Sequence, residues 1–503
     1  MPNPIPLDGR TLEGGGQLLR TALCLSALTR LPLEISHIRG NRSGGGGLKA
    51  QHLACVHWLA RACGAEVSGA EKGSAHLVFT PAAEEVGALS PVFARRELAV
   101  GDGGDGEGGG KGGGDVYECR LDIGTAGSTG LALQAILPFI LFSRFPEALP
   151  VRVTITGGTN VAGAPSFEYV QQVLLPTLGA IGFPAMTARL GRRGWSQGQA
   201  SIGSFTLDIP ARKGGVALPG FQLGPVGDGT GRQKPAKPSR LRATIVAPAS
   251  CHGHFREVLG AAVQHYFGRR YSTTGTAAKQ GQEGEEEAAK LTIVCEGSLH
   301  EKRMYLILVA TVPTASSSSS SSSSSTPAAS TSTAASDHDG TGTASLEATP
   351  HYILARDWLY TRRIRSLERA ATEMAERVAQ ELAREWASGA WVDEFMRDQL
   401  VVFQALARGR SGVFAGRDVD GDGGLREGSL HARTAKWVAG RMAGARWVVG
   451  GGCEGVGFGG EGGWGTGTGK NREGVGGGEG GGGGEGVEAL GRGVEDMGFG
   501  VER

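Results

Sequence analysis

The chain has 503 residues, with 51 Lys and Arg against 50 Asp and Glu. A formal charge of +1 excludes bulk polyelectrolyte binding to nucleic acid and leaves any such role to a local patch. Glycine supplies 87 residues and is concentrated in GDGGDGEGGGKGGGD at 101–115 and in nearly everything from 450 to 500.

Serines fill 316–325 inside a Ser/Thr/Ala stretch at about 314–345. These biased segments carry too few apolar groups to offset their ordering entropy, so they read as disordered inserts and a tail. Roughly 350 residues remain for folding, enough for a large domain and a smaller one. The seven cysteines are scattered singly with no CxxC pair, which suits a reducing compartment and argues against a disulfide framework or structural zinc. Met1 is followed by Pro and Asn rather than a basic-then-apolar leader, and no apolar run approaches a membrane span. The expectation is a soluble intracellular chain without a membrane partner.

In chain order, LDGRTLEGGGQLLRTAL at 7–23 comes first. Gly14, Gly15 and Gly16 stand between Glu13 and a helix carrying Gln17 and Arg20. Glycine costs a helix interior about 1 kcal/mol, so three together imply a tight turn or close approach to something bulky. The N–H groups of a helix start favour an anion, and Arg20 adds a bidentate donor. The strand LEISHIRG at 33–40 follows, then IRGNRSGGGGLKAQHL at 38–53. There Arg39 and Arg42 flank a glycine loop, and Lys49, Gln51 and His52 open a helix. By itself that segment reads as a polar loop. Beside Arg20 it gathers three arginines and a lysine around two Gly-rich helix starts, able to neutralise several phosphates.

GTAGSTGLALQAILPFILF at 124–142, with Gln134, repeats the logic of glycine turn and apolar helix, and VRVTITGG at 151–158 is its strand. VDEFMRDQLVVFQALARG at 392–409 is a third, partial copy. Further amphipathic helices are expected near 51–63, 166–181 and 364–386. Repeated strand–helix units predict an α/β (α+β) core. Strands at 240–248, 290–297 and 303–312 with a helix at 255–268 make a small α/β unit. The predicted organisation is core repeats one and two over 1–203, an inserted domain over 204–313 and a Ser/Thr-rich linker over 314–350. The third core repeat over 351–449 and a Gly-rich tail over 450–503 complete it.

Three motifs fail on chemistry. DVDGDGGLREGS at 418–429 starts like a calcium loop, but Ser429 stands where a bidentate Glu is needed. GEGGGKGGG lacks the Gly-Lys-Ser/Thr ending of a phosphate loop. Cys251, His252 and His254 lack a fourth ligand. GSLHARTAKWVAGRM at 428–442 is different, because His431 sits where a loop enters a helix. The positive helix end lowers an imidazole's pKa and keeps it nucleophilic, although a lone histidine is more often structural.

Taken in order, DGRTLEGGGQLLR, IRGNRSGGGGLKAQHL, GAEKGS, AGSTGLALQAILP, GGTNVAGAPSFEY, VDEFMRDQLVVFQAL and LHARTAKW resemble the RNA 3'-terminal phosphate cyclase family. The resemblance covers most of 5–200 and 351–448. It implies three βαβαββ-type repeats forming a large core domain, with a smaller inserted α/β domain before the last repeat. It also implies ATP-dependent conversion of an RNA 3'-phosphate to a 2',3'-cyclic phosphodiester, through a histidine–AMP adduct and an RNA adenylate. On that resemblance the adenylated histidine is His431, and the nucleotide contacts are Gln134, Pro165 and Phe395, Met396, Arg397, Asp398 and Gln399. Gln17, Arg20, Arg39, Arg42, Gln51 and His52 match the phosphate and RNA side, and Glu13 the metal side. ATP and Mg²⁺ or Mn²⁺ are the implied cofactors, RNA with a 3'-phosphate end the implied partner, and the nucleus the implied location.

The non-enzymatic branch, which serves ribosome assembly, lacks the histidine and the intact EGGGQ-x-x-R motif that this chain keeps. A non-catalytic protein binding RNA ends is the remaining alternative. Three segments depart from the family pattern: the glycine loop after Arg42 is one residue longer and lacks its Pro, 192–203 lacks a Pro and triple glycine, and 357–371 lacks most of its glycines.

Overall fold

The computed structural model describes residues 2–42, 44–83, 90–97, 114–196, 201–212, 217–225, 235–268, 272–273, 290–314 and 351–459. The chain divides into two compact units, Met1–Gly463 and Trp464–Arg503, and every described residue lies in the first. The lysine-bearing glycine run at 101–113, the serine run and the tail beyond 459 lie outside the described residues.

The first sheet is built from β1 (Ile5–Asp8), β2 (Leu33–Ser36), β3 (Glu66–Ser68) and β4 (Leu77–Thr80), with α1 (Gly16–Thr29) and α2 (Ala50–Cys63) between its strands. β1 runs parallel to β2, β2 antiparallel to β4, and β4 antiparallel to β3. The second sheet adds an edge strand, β5 (Ala94–Glu97), to β6 (Asp115–Asp122). From there α3 (Thr129–Phe142) leads to β7 (Val151–Gly157). The next helix starts as α4 (Phe167–Tyr169), passes through a π-helical turn (Val170–Leu174) and ends as α5 (Leu175–Ala180). β8 (Thr187–Arg192) and β9 (Gly203–Ile209) then close the sheet. The pairing pattern is the same as in the first: β6 parallel to β7, β7 antiparallel to β9, β9 antiparallel to β8.

β10 (Gln222–Leu223) leads into the smaller sheet, formed by β11 (Arg240–Ala247), β12 (Ser272–Thr273), β13 (Lys290–Gly297), β14 (Tyr305–Pro313) and β15 (His351–Leu359). Its helices are α6 (His252–Phe267) and α7 (Leu367–Ala387). The last elements are α8 (Glu394–Leu406), β16 (Arg408–Val413), α9 (Leu430–Ala443), β17 (Arg446–Val448) and β18 (Gly452–Val456). β10 is parallel to β16, β16 antiparallel to β18, and β18 antiparallel to β17.

Period-2 alternation explains β7 and β9, where every second side chain is buried. α3 is apolar nearly all round and lies at the centre, touching α1, α2, β7 and α8. One apolar core runs from Leu7 to Cys453 through the other three sheets and takes in one face of the smaller sheet at Val246, Tyr305, Ile307 and Ala355. A second core joins Leu306, Leu308 and Leu354 to Met374, Val378 and Leu382 of α7.

The sheets redraw the sequence-based boundaries. β9 pairs with β7, so 203–209 belongs with the second sheet rather than with the insertion. β15 pairs with β14 along its whole length and α7 packs on the smaller core, so 351–387 belongs with the smaller sheet rather than with the third repeat. The physical reason is non-local pairing: two strands separated by the 315–350 stretch share one hydrogen-bonded ladder. β10 precedes the smaller sheet, and β18 carries ordered pairing into the Gly-rich region after 450. Among the described residues no helix is long and apolar enough to cross a membrane.

Candidate active site

The glycine run at 14–16 is a backbone device. Gly14 has φ +59, in the left-handed region, and a Cβ there would strike Asn41. A Cβ on Gly15 would meet the Glu13 carboxylate, and one on Gly16 would lie 2.7 Å from Arg20 Nη1 and 3.0 Å from His52 Nε2. Bare backbone at the start of α1 thus lets Glu13, Arg20 and His52 converge.

α9 supplies His431 in its first turn. The Ser429 hydroxyl caps this helix by accepting a 3.2 Å bond from Ala432 N–H. Thr434, three residues on, accepts a 3.1 Å bond from the Glu13 N–H and so fixes the glycine turn to α9. His431 Nδ1 lies 3.8 Å from Glu13 Oε1. The same carboxylate oxygen pairs with Arg42, while Glu13 Oε2 is buried with no partner among the described residues. Burial first, then the charges of Arg20 and Arg42, push the His431 pKa down against the opposing pull of Glu13 and Glu394. The imidazole is therefore neutral at physiological pH.

Arg20 is buried and held by two side-chain amides: its Nε donates to Gln134 Oε1 at 2.9 Å and its Nη2 to Gln17 Oε1 at 2.8 Å. Burial lowers its pKa, yet a guanidinium stays charged throughout. Burial pushes Asp398, on α8, up to about 7 against Arg20 and a hydrogen bond from Gln134. Arg39, itself at φ +56, donates to the carbonyls of Gly45 and Gly47 and so closes the lengthened glycine loop. Gln51 Oε1 accepts from Ser128 N–H at 3.0 Å and ties α2 to the start of α3.

His52 Nδ1 accepts from Lys49 N–H at 3.1 Å, which leaves the proton of the neutral ring on Nε2. Burial and then the charges of Arg20, Arg39 and Lys49 push His52 down to about 3. A folded value below the unfolded one means that stability is present above about 6.5 and is lost as pH falls toward 3. The slope due to this one residue is about 1.4 kcal/mol per pH unit at most. His52→Gln is expected to flatten denaturant-measured stability across that window; an unchanged slope would contradict a buried neutral His52.

Glu13, Gln17, Arg20, Arg39, Arg42, Gln51, His52, Gln134, Pro165, Phe395, Asp398, Gln399 and His431 all line one cavity of about 1000 Å³. Two expected nucleotide contacts are not among its lining residues. Met396 is buried in the core, and Arg397 donates to the carbonyls of Arg426 and Glu427, bracing the loop ahead of α9. Both belong to α8, where 3.6-residue periodicity puts Phe395, Asp398 and Gln399 on the cavity side and turns their neighbours away.

Sequence reasoning missed the wall supplied by the smaller domain: Tyr305, Asp357, Trp358 and Arg377. Asp357 accepts from Tyr305 OH at 3.0 Å, and burial pushes it up to about 7. Nearby Asp393 caps α8 by accepting from Met396 N–H, and it accepts further bonds from Tyr169 OH and Ala355 N–H. One carboxylate thus joins α4, β15 and α8. Thr434 had a signal, its position one helical turn from His431; Asp357 had none, because its strand was assigned elsewhere.

Residues 11–449 match the family model described as RNA 3'-terminal phosphate cyclase. This chain belongs to that family. Similar proteins named RNA 3'-terminal phosphate cyclase include one from Methanosarcina mazei, 36% identical over 198 residues, which are 39% of this chain and 46% of that protein. One from Caldivirga maquilingensis is 40% identical over 190 residues, covering 38% and 44%. One from Pyrococcus furiosus is 36% identical over 209 residues, covering 42% and 51%. The chain spans about half the length of these cyclase relatives. In the cyclase-family frame, the residues gathered from α1, α2, α3, α8 and α9 form a single candidate active site.

Proposed function

We propose that the cavity converts an RNA 3'-terminal phosphate to a 2',3'-cyclic phosphodiester at the expense of ATP, through an AMP adduct on His431. The observation that carries this reading is an imidazole at the start of α9, 3.8 Å from Glu13 and in one cavity with Arg20 and Gln134.

With Nδ1 turned to Glu13, the Nε2 lone pair of His431 is the nucleophile. Nε2 attacks the α-phosphorus of ATP, the bond to the bridging oxygen breaks and pyrophosphate leaves. The proton on Nδ1 stays, and Glu13 stabilises the positive charge the ring acquires. An oxygen of the RNA 3'-phosphate then attacks the same phosphorus and releases His431. Finally the neighbouring 2'-hydroxyl attacks the 3'-phosphorus, losing its proton to water as the bond to the AMP oxygen breaks and AMP departs, a closure in which proximity contributes most of the rate. In this reading Arg20, held through Nε by Gln134 and through Nη2 by Gln17, offers Nη1 to a phosphate oxygen.

Mg²⁺ or Mn²⁺ fits this site in a limited sense. No group of three His, Cys, Asp or Glu able to hold a metal occurs among the described residues, whereas the buried, unpartnered Oε2 of Glu13 offers one hard oxygen ligand. Magnesium is commonly held by one or two carboxylates plus substrate phosphates, where it neutralises phosphate charge. Glu13 is the residue that would hold it.

The test is incubation with α-labelled ATP and Mg²⁺, followed by denaturing electrophoresis and by assay of a 3'-phosphorylated RNA. An acid-labile protein label with cyclic product supports the reading; a folded protein that yields neither overturns it. Glu13→Gln is expected to slow adenylylation about 10²-fold or more, since it removes the charge facing Nδ1. It also moves the lower pH limit of the reaction further down, because Glu13 raises the His431 pKa. An unshifted profile at wild-type rate would remove Glu13 from the mechanism.

A further inference from the structure

We propose that the rim contributed by the smaller domain, Trp358 together with the arginine-rich turn after β15, holds the RNA strand upstream of its terminal phosphate. This inference rests on the reading of the site given above. Trp358 is half-buried and lines the cavity. The Arg377 guanidinium lies 4.3 Å from the centre of its ring and that of Arg362 lies 5.7 Å away. The turn TRRIRS at 361–366 carries three arginines and no acid, in a chain whose total charge is +1. Arg362 is paired with Glu373 and Arg377 with Glu381. Arg363 and Arg365 are exposed, with no acidic partner among the described residues.

An indole bordered by guanidinium groups is the combination that suits single-stranded nucleic acid. Arginines neutralise the phosphates, and both indole and guanidinium planes accept a stacked base. The volume also points this way. At about 1000 Å³ the cavity stands at the top of the range for one small ligand, which leaves room for a nucleotide and a strand end together. A strand whose 3'-phosphate reaches His431 must leave the cavity over some part of its edge. At the rim after β15, Trp358, Thr361 and Arg377 line the cavity, and Arg363 and Arg365 stand exposed a few residues further along the same turn.

The test compares a single-stranded, 3'-phosphorylated RNA dodecamer with a 3'-phosphorylated dinucleotide, by fluorescence anisotropy across a series of salt concentrations. The native protein is expected to bind the dodecamer about tenfold more tightly. Arg363→Gln with Arg365→Gln should erase most of that preference and reduce the salt slope by about 1.4, at roughly 0.7 per arginine. Substituting both by lysine should keep the slope. Trp358→Ala should weaken dodecamer binding about five- to tenfold and leave the dinucleotide unaffected. A glutamine double variant with native length preference and native salt slope overturns the proposal. Labelling by α-labelled ATP on the native protein separates the two ideas. A missing label with the strand preference intact overturns the catalytic reading alone, whereas a label without strand preference overturns this one alone.

Discussion

His431→Ala is expected to abolish the acid-labile AMP label and to lower RNA cyclisation at least about a thousandfold, with the protein still folded. The expectation follows from covalent catalysis. The adduct forms on the ring nitrogen, so removing the ring removes the intermediate itself rather than a stabilising contact. Folding should survive, because His431 is half-exposed and makes no hydrogen bond that α9 needs; the helix is capped by Ser429 and anchored by Thr434. Circular dichroism and electrophoresis of labelled protein check the two halves separately. A persistent label in the alanine variant would move the nucleophile elsewhere. Loss of folding instead of labelling would mean that the α1–α9 contact depends on the imidazole.

The second large effect concerns stability. Glu385→Ala is expected to reduce the free energy of unfolding by about 3–5 kcal/mol, the cost of stranding buried charge. The Glu385 carboxylate is almost wholly buried at the end of α7. One oxygen pairs with Arg356 of β15 and the other accepts from Arg426 Nη1 at 2.7 Å. Arg356 also lies 4.8 Å over the ring of Phe395, and the Arg426 carbonyl receives Arg397. One acid therefore joins the smaller domain, α8 and the loop that leads into α9. Its removal leaves Arg426 without its anion and leaves Arg356, in the core, with only the 3.3 Å contact to the more exposed Glu394. Denaturant titration should show the loss, and a change below about 1 kcal/mol would contradict a buried, closed network. Replacing Arg356 and Glu385 together by apolar residues of similar size should restore part of the stability, because no core charge is then stranded and Arg426, which loses its anion, is partly exposed.

The local devices of the site were readable before any coordinates. Gly14 to Gly16, Arg20, Gln134 and His431 announce themselves because their chemistry is local. Glycines mark a turn that a Cβ would obstruct, and a histidine at a helix start meets the positive end of the helix, although burial and the charges of Arg20 and Arg42 are what lower the His431 pKa. The family-level resemblance rests on the same short motifs, and the residues they contain come together in one cavity. Arg397 and Met396 read as contacts because they lie within a matching stretch, yet the helical period turns them away. The opposite error hid Asp357 and Trp358. Their segment resembled an approach to the third repeat, whereas β15 is the last strand of the smaller sheet.

By itself the sequence determined the helices, the strands at 33–40, 151–158, 240–248, 290–297 and 303–312, and where backbone must pass without a side chain. Those properties depend on neighbours within a turn or two. Only the tertiary structure decided that β10 pairs with β16 across the whole insertion and that β15 closes a ladder with β14. It also decided that Glu13 meets His431 through Thr434, more than four hundred residues along the chain. Such pairings are set by burial and hydrogen bonding between segments distant in the chain. No local pattern encodes them, because the free energy that selects the partner exists only once the sheets and helices have packed.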